Sequence, residues 1–432
     1  MRIPMGALSR REMLAASGVV GAGLASSFSI ARADAKNNDL IRVALIGCGG
    51  RGTGAADQTL SVPDSNVKLV AMADAFGDRL KGSLGELKSK HSDKVDVPAD
   101  RQFVGLDAYK KAIELADLVV LATPPGFRPV HFEAAVKAGK NVFMEKPVCV
   151  DAAGARQVLA MAKVADAKKL KVVVGLQRHY QEAYRESLKR LHDGAIGDII
   201  SADVYWNGGG IWYRKREPGM TEMQYQVHNW YHFCWLSGDH ICEQHVHNLD
   251  VANWFLGSPP ISAVGFGGRQ VRIPGESSEI YDHHAVVYQY PGGIVVNSQC
   301  RQFPGVNNVS EVFHGTKGTL MAGHIVDRKG NTVWQHRGRR DGDPYQVEHN
   351  ELHAAIREDT PLNNAYYGAT STFTAVLGRY ATYTGKEWNF ADAIKLNHHT
   401  MPDSLDWNTT TPTKPDRNGN YRLPMPGDYT LA

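Results

Sequence analysis

Two groups of residues have the types and spacing for acid–base chemistry. Glu145-Lys146-Pro147 directly follows the apolar stretch 141–144, and far downstream Glu243 precedes His247 by four residues. A lysine or histidine beside a hydroxyl group can take up its proton near neutral pH. Because residues four apart share one helical face, we expect Glu243 and His247 to point into the same cleft. The residues predicted to be catalytic are Lys146, His247 and Glu243, the last orienting His247 or binding a substrate hydroxyl.

Three alternatives compete with this interpretation. Lys146 could be a solvated surface lysine, and His247 could be a hydrogen-bonded core histidine. Glu243 and His247 could also belong to a metal site with nearby histidines, namely His245 with His228, His232 or His240. The zinc-type spacing H-E-x-x-H is absent, so we predict no metal.

A glycine-rich turn precedes Lys146 by about a hundred residues. The apolar stretch 41–46 runs into Gly47-Cys48-Gly49-Gly50-Arg51-Gly52, a G-x-G-x-x-G pattern. Such glycines allow a tight turn, a close approach of pyrophosphate to the backbone and close packing of helix on strand. Asp74 ends the next apolar stretch, where a carboxylate accepts ribose hydroxyls and repels a 2′-phosphate. We therefore predict NAD as the cofactor rather than NADP.

Further apolar stretches alternate with helical segments over the first half. They cover 67–73, 118–122, 141–144 and 172–174. Strands alternating with helices predict a parallel, doubly wound sheet. Ligands of such sheets lie outside the carboxyl ends of the strands. Residues at those ends include Asp74, Thr123 and Lys146.

The second half has a different pattern. Residues 194–199 resemble a turn before a strand. Apolar and polar residues alternate in the stretches 285–290 and 294–299, which flank Pro291-Gly292-Gly293, and this predicts an antiparallel hairpin.

Residues 205–235 are rich in aromatic and polar side chains, which suit carbohydrate rings, although a hydrophobic interface is an alternative. The predicted substrate-binding residues are Lys146, Trp212, Arg214, His228, Glu243 and His247. The tail from Thr400 is predicted to be an extended arm on its own domain or on a partner subunit.

These motifs resemble the glucose–fructose oxidoreductase/inositol dehydrogenase/MocA (Gfo/Idh/MocA) family. The residues that carry the resemblance are Gly47 to Gly52, Asp74, Thr123-Pro124, Ala138 to Val142 and Glu145-Lys146-Pro147. The resemblance implies an α/β protein with an N-terminal Rossmann domain and a C-terminal α+β domain built on a large, open, mostly antiparallel sheet. It also implies that Lys146 lies beside the nicotinamide, that His247 is the catalytic histidine, and that Glu243 replaces the family's aspartate.

Two departures from the family pattern occur in one loop. The usual Thr-Pro-Asn is Thr123-Pro124-Pro125, and the usual histidine three residues later is Arg128, with His131 one helical turn on. The residues predicted to bind the cofactor are Gly47, Gly49, Gly50, Arg51, Gly52, Asp74, Thr123, Pro124, Arg128, Glu145, Lys146 and Arg178.

The N-terminus predicts export. A twin-arginine pattern at Arg10 and Arg11 precedes the mildly apolar run 14–30 and an A-x-A site at Ala31-Arg32-Ala33. A membrane anchor is the alternative, but the run falls short of the roughly 20 apolar residues that a span needs. We predict a signal peptide over 1–33, a periplasmic protein, a dinucleotide-binding domain over 34–175 and a substrate domain over 176–432.

Composition excludes several classes of protein. The net charge is +3 and no basic run is present, so no nucleic-acid partner is expected. Five cysteines without a C-x-x-C pair do not form a disulfide framework. A small carbohydrate substrate and a homo-oligomer, dimeric or tetrameric, are expected instead.

The sequence thus predicts an exported oxidoreductase that moves a hydride between nicotinamide and a hydroxyl-bearing carbon of a sugar or cyclitol. Free NAD(H) is scarce outside the cytoplasm, so we expect the cofactor to travel tightly bound to the folded protein. A redox-neutral glycosidase, lyase or epimerase with a recycled cofactor is the first alternative. A non-catalytic sugar-binding protein is the second.

Overall fold

The computed structural model describes residues 38–272, 278–338, 341–402 and 404–431. The predicted signal peptide, 1–33, lies outside these ranges. From Asp39 onward the described chain forms one compact unit.

The first half contains a parallel sheet of six strands in the order β3-β2-β1-β4-β5-β6. The strands are β1 (Ile41–Ile46), β2 (Val67–Asp74), β3 (Gln102–Val104), β4 (Leu118–Leu121), β5 (Asn141–Met144) and β6 (Val172–Val174). All five neighbouring pairs run parallel. The predicted doubly wound Rossmann sheet is confirmed.

Helices cover both faces of this sheet. They are α1 (Gly50–Leu60), α2 (Gly77–Lys90), α3 (Tyr109–Glu114), α4 (Arg128–Lys137) and α5 (Ala152–Ala167). Val43 and Ala44 point to opposite faces, and both are fully buried. Burial on two faces explains why the strands are continuous apolar stretches rather than alternating ones.

The second half contains a sheet of nine strands in the order β14-β13-β12-β11-β7-β10-β9-β8-β15. The strands are β7 (Ile199–Gly208), β8 (Ser262–Gly268), β9 (His283–Gln289), β10 (Val295–Gln302), β11 (Asn308–Gly315), β12 (Gly318–Met321), β13 (His324–Asp327), β14 (Thr332–Gln335) and β15 (Trp388–Asn389). Neighbours are antiparallel except β7 and β10. The predicted large, mostly antiparallel sheet and the hairpin at Pro291 are confirmed.

Helices pack against one face of the second sheet. The helices of this half are α6 (Glu182–His192), α7 (Glu222–His228), α8 (Cys234–Ser237), α9 (His240–Glu243), α10 (Val246–Leu256), α11 (Pro344–Glu358), α12 (Ala365–Thr384) and α13 (Phe390–Ala393). Leu249 of α10 and Phe373 of α12 share one buried cluster with Val204 and Val286 of the sheet. The opposite face carries Val264 and Phe266, which are 45% and 72% exposed.

The late part of the chain returns to the first sheet. Val172 of β6 donates to Leu362 O at 2.8 Å and accepts from Asn364 N at 2.8 Å. This return joins the two halves of the chain, and the predicted domain boundary after residue 175 stays a prediction.

The tail from Thr400 packs on its own chain in the described residues. Thr400 donates from its backbone N–H and its hydroxyl to Asp151 Oδ2 at 2.7 and 2.8 Å. Tyr281 donates its hydroxyl to Pro424 O, and the ring of Tyr421 lies 4.9 Å from that of Phe233. Within the described residues, no helix combines the length and apolar character needed to cross a membrane.

Candidate active site

The turn between β1 and α1 brings backbone segments too close together for side chains. Gly47 has a φ of +94°, and a Cβ there would lie 2.6 Å from the carbonyl carbon of Ala122. A Cβ on Gly52 would lie 1.9 Å from Gly47 O. By contrast, a Cβ on Gly50 would meet nothing within 4 Å, since Gly50 faces a cavity. Gly47 and Gly52 therefore allow backbone segments to pack closely, whereas Gly50 leaves the backbone open to the cavity.

The N-terminus of α1 faces the same cavity. It has no side-chain cap, and its first turn contains no acidic residue. The free N–H groups and the positive end of the helix dipole favour an anion there. These residues fit the pyrophosphate of a dinucleotide.

Asp74 ends β2 at the edge of this cavity. Its Oδ2 accepts from Cys48 N at 2.6 Å, and its Oδ1 accepts from Phe76 N at 2.8 Å. Burial raises the pKa of the carboxyl, and these two N–H groups oppose that shift. Asp74 thus holds the glycine turn in place, and each oxygen keeps a second lone pair for a ribose hydroxyl.

Residues from the second half close this cofactor cavity, whose volume is about 290 Å³. Trp212 and Arg214 line it, and the Arg214 guanidinium lies 4.0 Å from the centre of the Trp212 ring. Asn229 accepts from Arg214 N and donates to Arg214 O, both at 2.9 Å. We call residues 212–214 the strap. The strap is hydrogen-bonded to Asn229 of the second half, and it lines the cofactor cavity of the first half.

A second cavity of about 310 Å³ adjoins the first. Both cavities are lined by Arg51, Ala122, Thr123 and Trp230. The second is also lined by Arg128, Glu145, Lys146, Glu243 and His247, with Trp206 as a second aromatic ring. We call it the substrate cavity.

Lys146 lies at the end of β5 in a cis Lys146-Pro147 unit and contacts Glu243 twice. Its Nζ donates to Glu243 O at 2.5 Å and lies 3.3 Å from Glu243 Oε1. The neighbouring Glu145 accepts from Arg51 Nε at 2.6 Å. Two cation–carboxylate pairs therefore lie side by side at this cavity.

Glu243 and His247 do not share one helix, so that expectation is wrong. α9 ends at Glu243, and α10 begins at Val246 after a break at Gln244 and His245. Both side chains still line the cavity. The contact that the structure records for Glu243 is with Lys146, whereas the ring of His247 lies 5.7 Å from that of Trp206 at 21°.

Burial changes the proton affinity of both groups. It raises the pKa of Glu243 to about 7, although the charge of Lys146 lowers it. It holds the pKa of His247 well below 6.5, and the charge of Lys146 adds to that effect. His247 is therefore neutral near neutral pH, and its buried Nδ1 has no protein partner in the described residues.

Four predicted residues line the other cavity. Trp212 and Arg214, predicted to bind the substrate, line the cofactor cavity and not the substrate cavity. Glu145 and Lys146, predicted to contact the cofactor, line the substrate cavity only.

Three further residues also lie differently from the prediction. Arg178 forms a buried ion pair with Glu311, and His228 packs against Phe76 with ring centres 5.3 Å apart. Neither is among the residues that line the two cavities. Arg128, predicted as a cofactor contact, lines the substrate cavity and not the cofactor cavity.

The prediction missed Gln177, Gln244 and Tyr345, which line the substrate cavity. Gln177 stands next to Arg178 in the sequence, so its place after β6 was a usable signal. Tyr345 comes from α11, and its ring centre lies 5.0 Å from the Arg51 guanidinium carbon. Nothing local in the sequence indicates that contact.

A cluster with metal-ligand chemistry forms around His240, one of the histidines of the alternative metal set, but it includes neither Glu243 nor His247. Ligand atoms of Asp239, His240 and His284 lie within 4.8 Å of one another, and all three residues are buried. Asp239 already accepts from Tyr281 N at 2.9 Å and from Tyr383 Oη at 2.6 Å. Its carboxylate is the centre of a hydrogen-bonded network that joins α9, β9 and α12.

Comparison with known proteins identifies the family. Residues 41–175 match the model described as "Oxidoreductase family, NAD-binding Rossmann fold", and residues 184–321 match the GFO/IDH/MocA C-terminal domain. The chain belongs to the Gfo/Idh/MocA family. The cofactor of this oxidoreductase is NAD, as the family model and the fit of the glycine turn both indicate.

Individual relatives are distant. The chain is similar to inositol 2-dehydrogenase of Rhizobium meliloti, at 26% identity over 65% of this chain and 75% of the relative. It is similar to a glycosyl hydrolase family 109 protein of Streptomyces coelicolor, at 27% identity over 51% of this chain and 48% of the relative. The solved scyllo-inositol dehydrogenase of Lactobacillus casei with NAD(H) and scyllo-inositol superimposes with a TM-score of 0.61, at 18% identity over 82% of this chain and all of that chain.

Proposed function

We propose that this protein oxidises a hydroxyl-bearing carbon of a sugar or cyclitol with NAD. The observation that carries the proposal is the adjoining pair of cavities, one at the glycine turn and one at Lys146 and His247. The relative named inositol 2-dehydrogenase supports a cyclitol or sugar as the substrate.

Bound NAD supplies the hydride acceptor, and the chain supplies the proton acceptors. Neutral His247 has a ring nitrogen without a hydrogen-bond partner in the described residues, and Lys146, just after β5, lines the same cavity. In the oxidative direction these two groups share removal of the hydroxyl proton. Glu243 positions Lys146 through the contacts at 2.5 and 3.3 Å, rather than orienting His247.

The walls of the substrate cavity suit a sugar ring. Trp206 and Trp230 offer aromatic faces for C–H groups, and Gln177 and Gln244 offer amide groups for hydroxyls. The Gln177 Oε1 is buried without a partner in the described residues, so it can accept from a substrate hydroxyl. This mixture of apolar faces and a few polar groups is typical of small-molecule sites.

A redox-neutral glycosidase, lyase or epimerase is the second candidate. It is favoured by the relative named glycosyl hydrolase family 109 protein. Glu243 adds support, because a carboxyl with a pKa of about 7 can both give and take a proton near neutral pH. A non-catalytic sugar-binding protein is the third candidate, and the buried Lys146–Glu243 pair speaks against it.

We further propose that the protein is exported to the periplasm with its cofactor bound. The twin-arginine pattern at Arg10 and Arg11 supports export of the folded protein. Replacing both by lysine should leave the protein in the cytoplasm with residues 1–33 attached, measured by fractionation and N-terminal sequencing. Normal export of that variant would contradict this part of the proposal.

A homo-oligomer, dimeric or tetrameric, also remains a proposal. The exposed side chains of Val264 and Phe266 on the open sheet face support it, because large exposed apolar groups are typical of interfaces. Light scattering on the purified protein would measure the assembly directly, and a monomer at all working concentrations would contradict it.

A panel of sugars and cyclitols tests the proposed reaction. The panel is added to purified protein, and the reduced-nicotinamide absorbance is recorded beside the products. An oxidoreductase leaves the cofactor reduced until an acceptor arrives, whereas a redox-neutral enzyme accumulates product with at most a transient signal. Tight binding of a sugar without either result would favour the non-catalytic candidate.

A further inference from the structure

One cation at the substrate cavity lacks an anionic partner in the described chain. Three cationic side chains line the cavity, those of Arg51, Arg128 and Lys146. Arg51 pairs with Glu145 at 2.6 Å, and Lys146 contacts Glu243 at 3.3 Å. Arg128 forms no direct ion pair with a described carboxylate, although the charges of Glu145 and Glu243 act on it from a longer distance. The cavity therefore has one buried positive charge in excess.

The surroundings of Arg128 make this charge costly. The residue is 1% exposed, and its Nε has no hydrogen-bond partner among the described atoms. Its hydrogen bonds within the described residues are both to Thr123, from Nη2 to the carbonyl oxygen at 2.5 Å and from Nη1 to Oγ1 at 3.5 Å. Arg128 is also the first residue of α4, where the helix dipole disfavours a cation. A buried charge of this kind needs a counter-charge.

The position of Arg128 separates it from the cofactor phosphates. The glycine turn, the α1 N-terminus and Asp74 line the cofactor cavity, and Arg128 does not. It lines the substrate cavity together with Lys146 and His247. An anion that pairs with Arg128 would therefore lie in the substrate cavity, beside Lys146 and His247.

We propose that Arg128 binds a carboxylate of the substrate, which makes the substrate an acidic sugar such as a uronic or aldonic acid. A guanidinium presents paired N–H donors that match the two oxygens of a carboxylate, and the free Nε provides one of them. Bound this way, the carboxylate orients the ring so that a hydroxyl meets Lys146 and His247. The inference rests on the proposed function, since it names the substrate class of the same site.

Matched pairs of sugars test the inference. We would measure binding of D-glucuronate and D-glucose, D-galacturonate and D-galactose, and D-mannuronate and D-mannose to the NAD-loaded protein by calorimetry. In at least one pair the acid should bind roughly tenfold to a hundredfold more tightly, the range for hydrogen bonds to charged groups. If no acid binds more tightly than its neutral partner, including the case in which none binds, the inference is wrong.

Substitution of Arg128 supplies a second, independent test. Arg128→Gln should abolish the preference for the acid and raise KM more than it lowers kcat, while the NAD content stays that of the wild type. Arg128→Lys should keep part of the preference, and Arg42→Gln, which changes an exposed arginine of β1, should change nothing. Loss of NAD from Arg128→Gln with the preference retained would instead assign the residue to the cofactor.

The two proposals fail in different ways. Acid-selective binding without reduction of the cofactor would contradict oxidoreduction and leave the substrate class standing. Oxidation of neutral sugars alone would contradict the substrate class and leave oxidoreduction standing. If Arg128→Gln does not fold, the wild-type pairs still decide the inference.

Discussion

Glu243 combines burial with a cationic neighbour, and these act on its pKa in opposite directions. Burial is the larger effect and raises the pKa from 4.5 to about 7. Because the folded state holds the proton more tightly, Glu243 makes a contribution to the free energy of unfolding that depends on pH. This contribution is fully present below pH 4.5 and is lost as the pH rises through about 7. A shift of this size corresponds to a loss on the order of 3 kcal/mol.

Glu243→Gln removes this titration. We expect the melting temperature of the variant to fall less than that of the wild type between about pH 5 and about pH 8, the range over which the linkage acts. Glu86→Gln, at an exposed position of α2, should follow the wild type. Parallel melting curves for Glu243→Gln and the wild type would show that Glu243 is not a high-pKa group.

Lys146 and His247 are predicted to act on the substrate proton rather than on cofactor binding. Lys146→Ala and His247→Ala should each lower kcat roughly 100-fold or more, the usual scale for general acid–base groups. Both variants should retain NAD, because the glycine turn and Asp74 form the phosphate and ribose ends of the cofactor cavity. Lys88→Ala, exposed on α2, is the control. Wild-type turnover in either active-site variant would remove that residue from the mechanism.

Among the elements, the strap joins the wall of the cofactor cavity to the second half of the chain. Asn229 is fully buried, and its side chain makes two hydrogen bonds to the backbone of Arg214 at 2.9 Å and a longer one to Tyr225 O at 3.5 Å. Removing them in Asn229→Ala should speed dissociation of NAD roughly tenfold or more, since each bond contributes about 1 kcal/mol.

Stopped-flow displacement of bound NAD measures that rate. Asn389→Ala is a matched control, since it removes an asparagine that caps α13 far along the chain. An unchanged rate in Asn229→Ala would mean that the strap does not hold the cofactor.

Five strands of the first half were predictable because they are continuous apolar stretches that are almost wholly buried. The short edge strand β3 was not predicted, since it is only partly buried and Val104 is 58% exposed. The break between α9 and α10 was not predictable, because no glycine or proline marks Gln244 and His245. The turn of 3₁₀ helix at Gln177–Tyr180 explains another miss. Gln177 lines the cavity, whereas Arg178 pairs with Glu311. The position of both residues just after a strand does not indicate which of them lines the cavity.

At the scale of the whole molecule, the return of the chain after β14 completes the site. Tyr345 reaches the substrate cavity from α11, and Asn364 binds the edge strand β6. Tyr345 contacts Arg51 and Asn364 contacts Val172, and each pair is far apart in the sequence, so no local pattern predicts these contacts. The alternation of strands and helices predicted the first sheet, and the family resemblance implied the second, whereas tertiary packing supplies part of the wall of the site.

We propose that one chain holds NAD and reduces it with a sugar or cyclitol at Lys146. The most direct measurement is a single-turnover experiment on protein purified without added nicotinamide. We predict that denaturation releases about one dinucleotide per chain, as one cofactor cavity requires. We also predict that a substrate sugar alone raises the reduced-nicotinamide absorbance in the wild type and not in Lys146→Ala, which should carry the same dinucleotide. Protein that emerges empty and turns over only with added NAD would contradict the bound-cofactor proposal, and equal reduction in Lys146→Ala would contradict the assignment of the site.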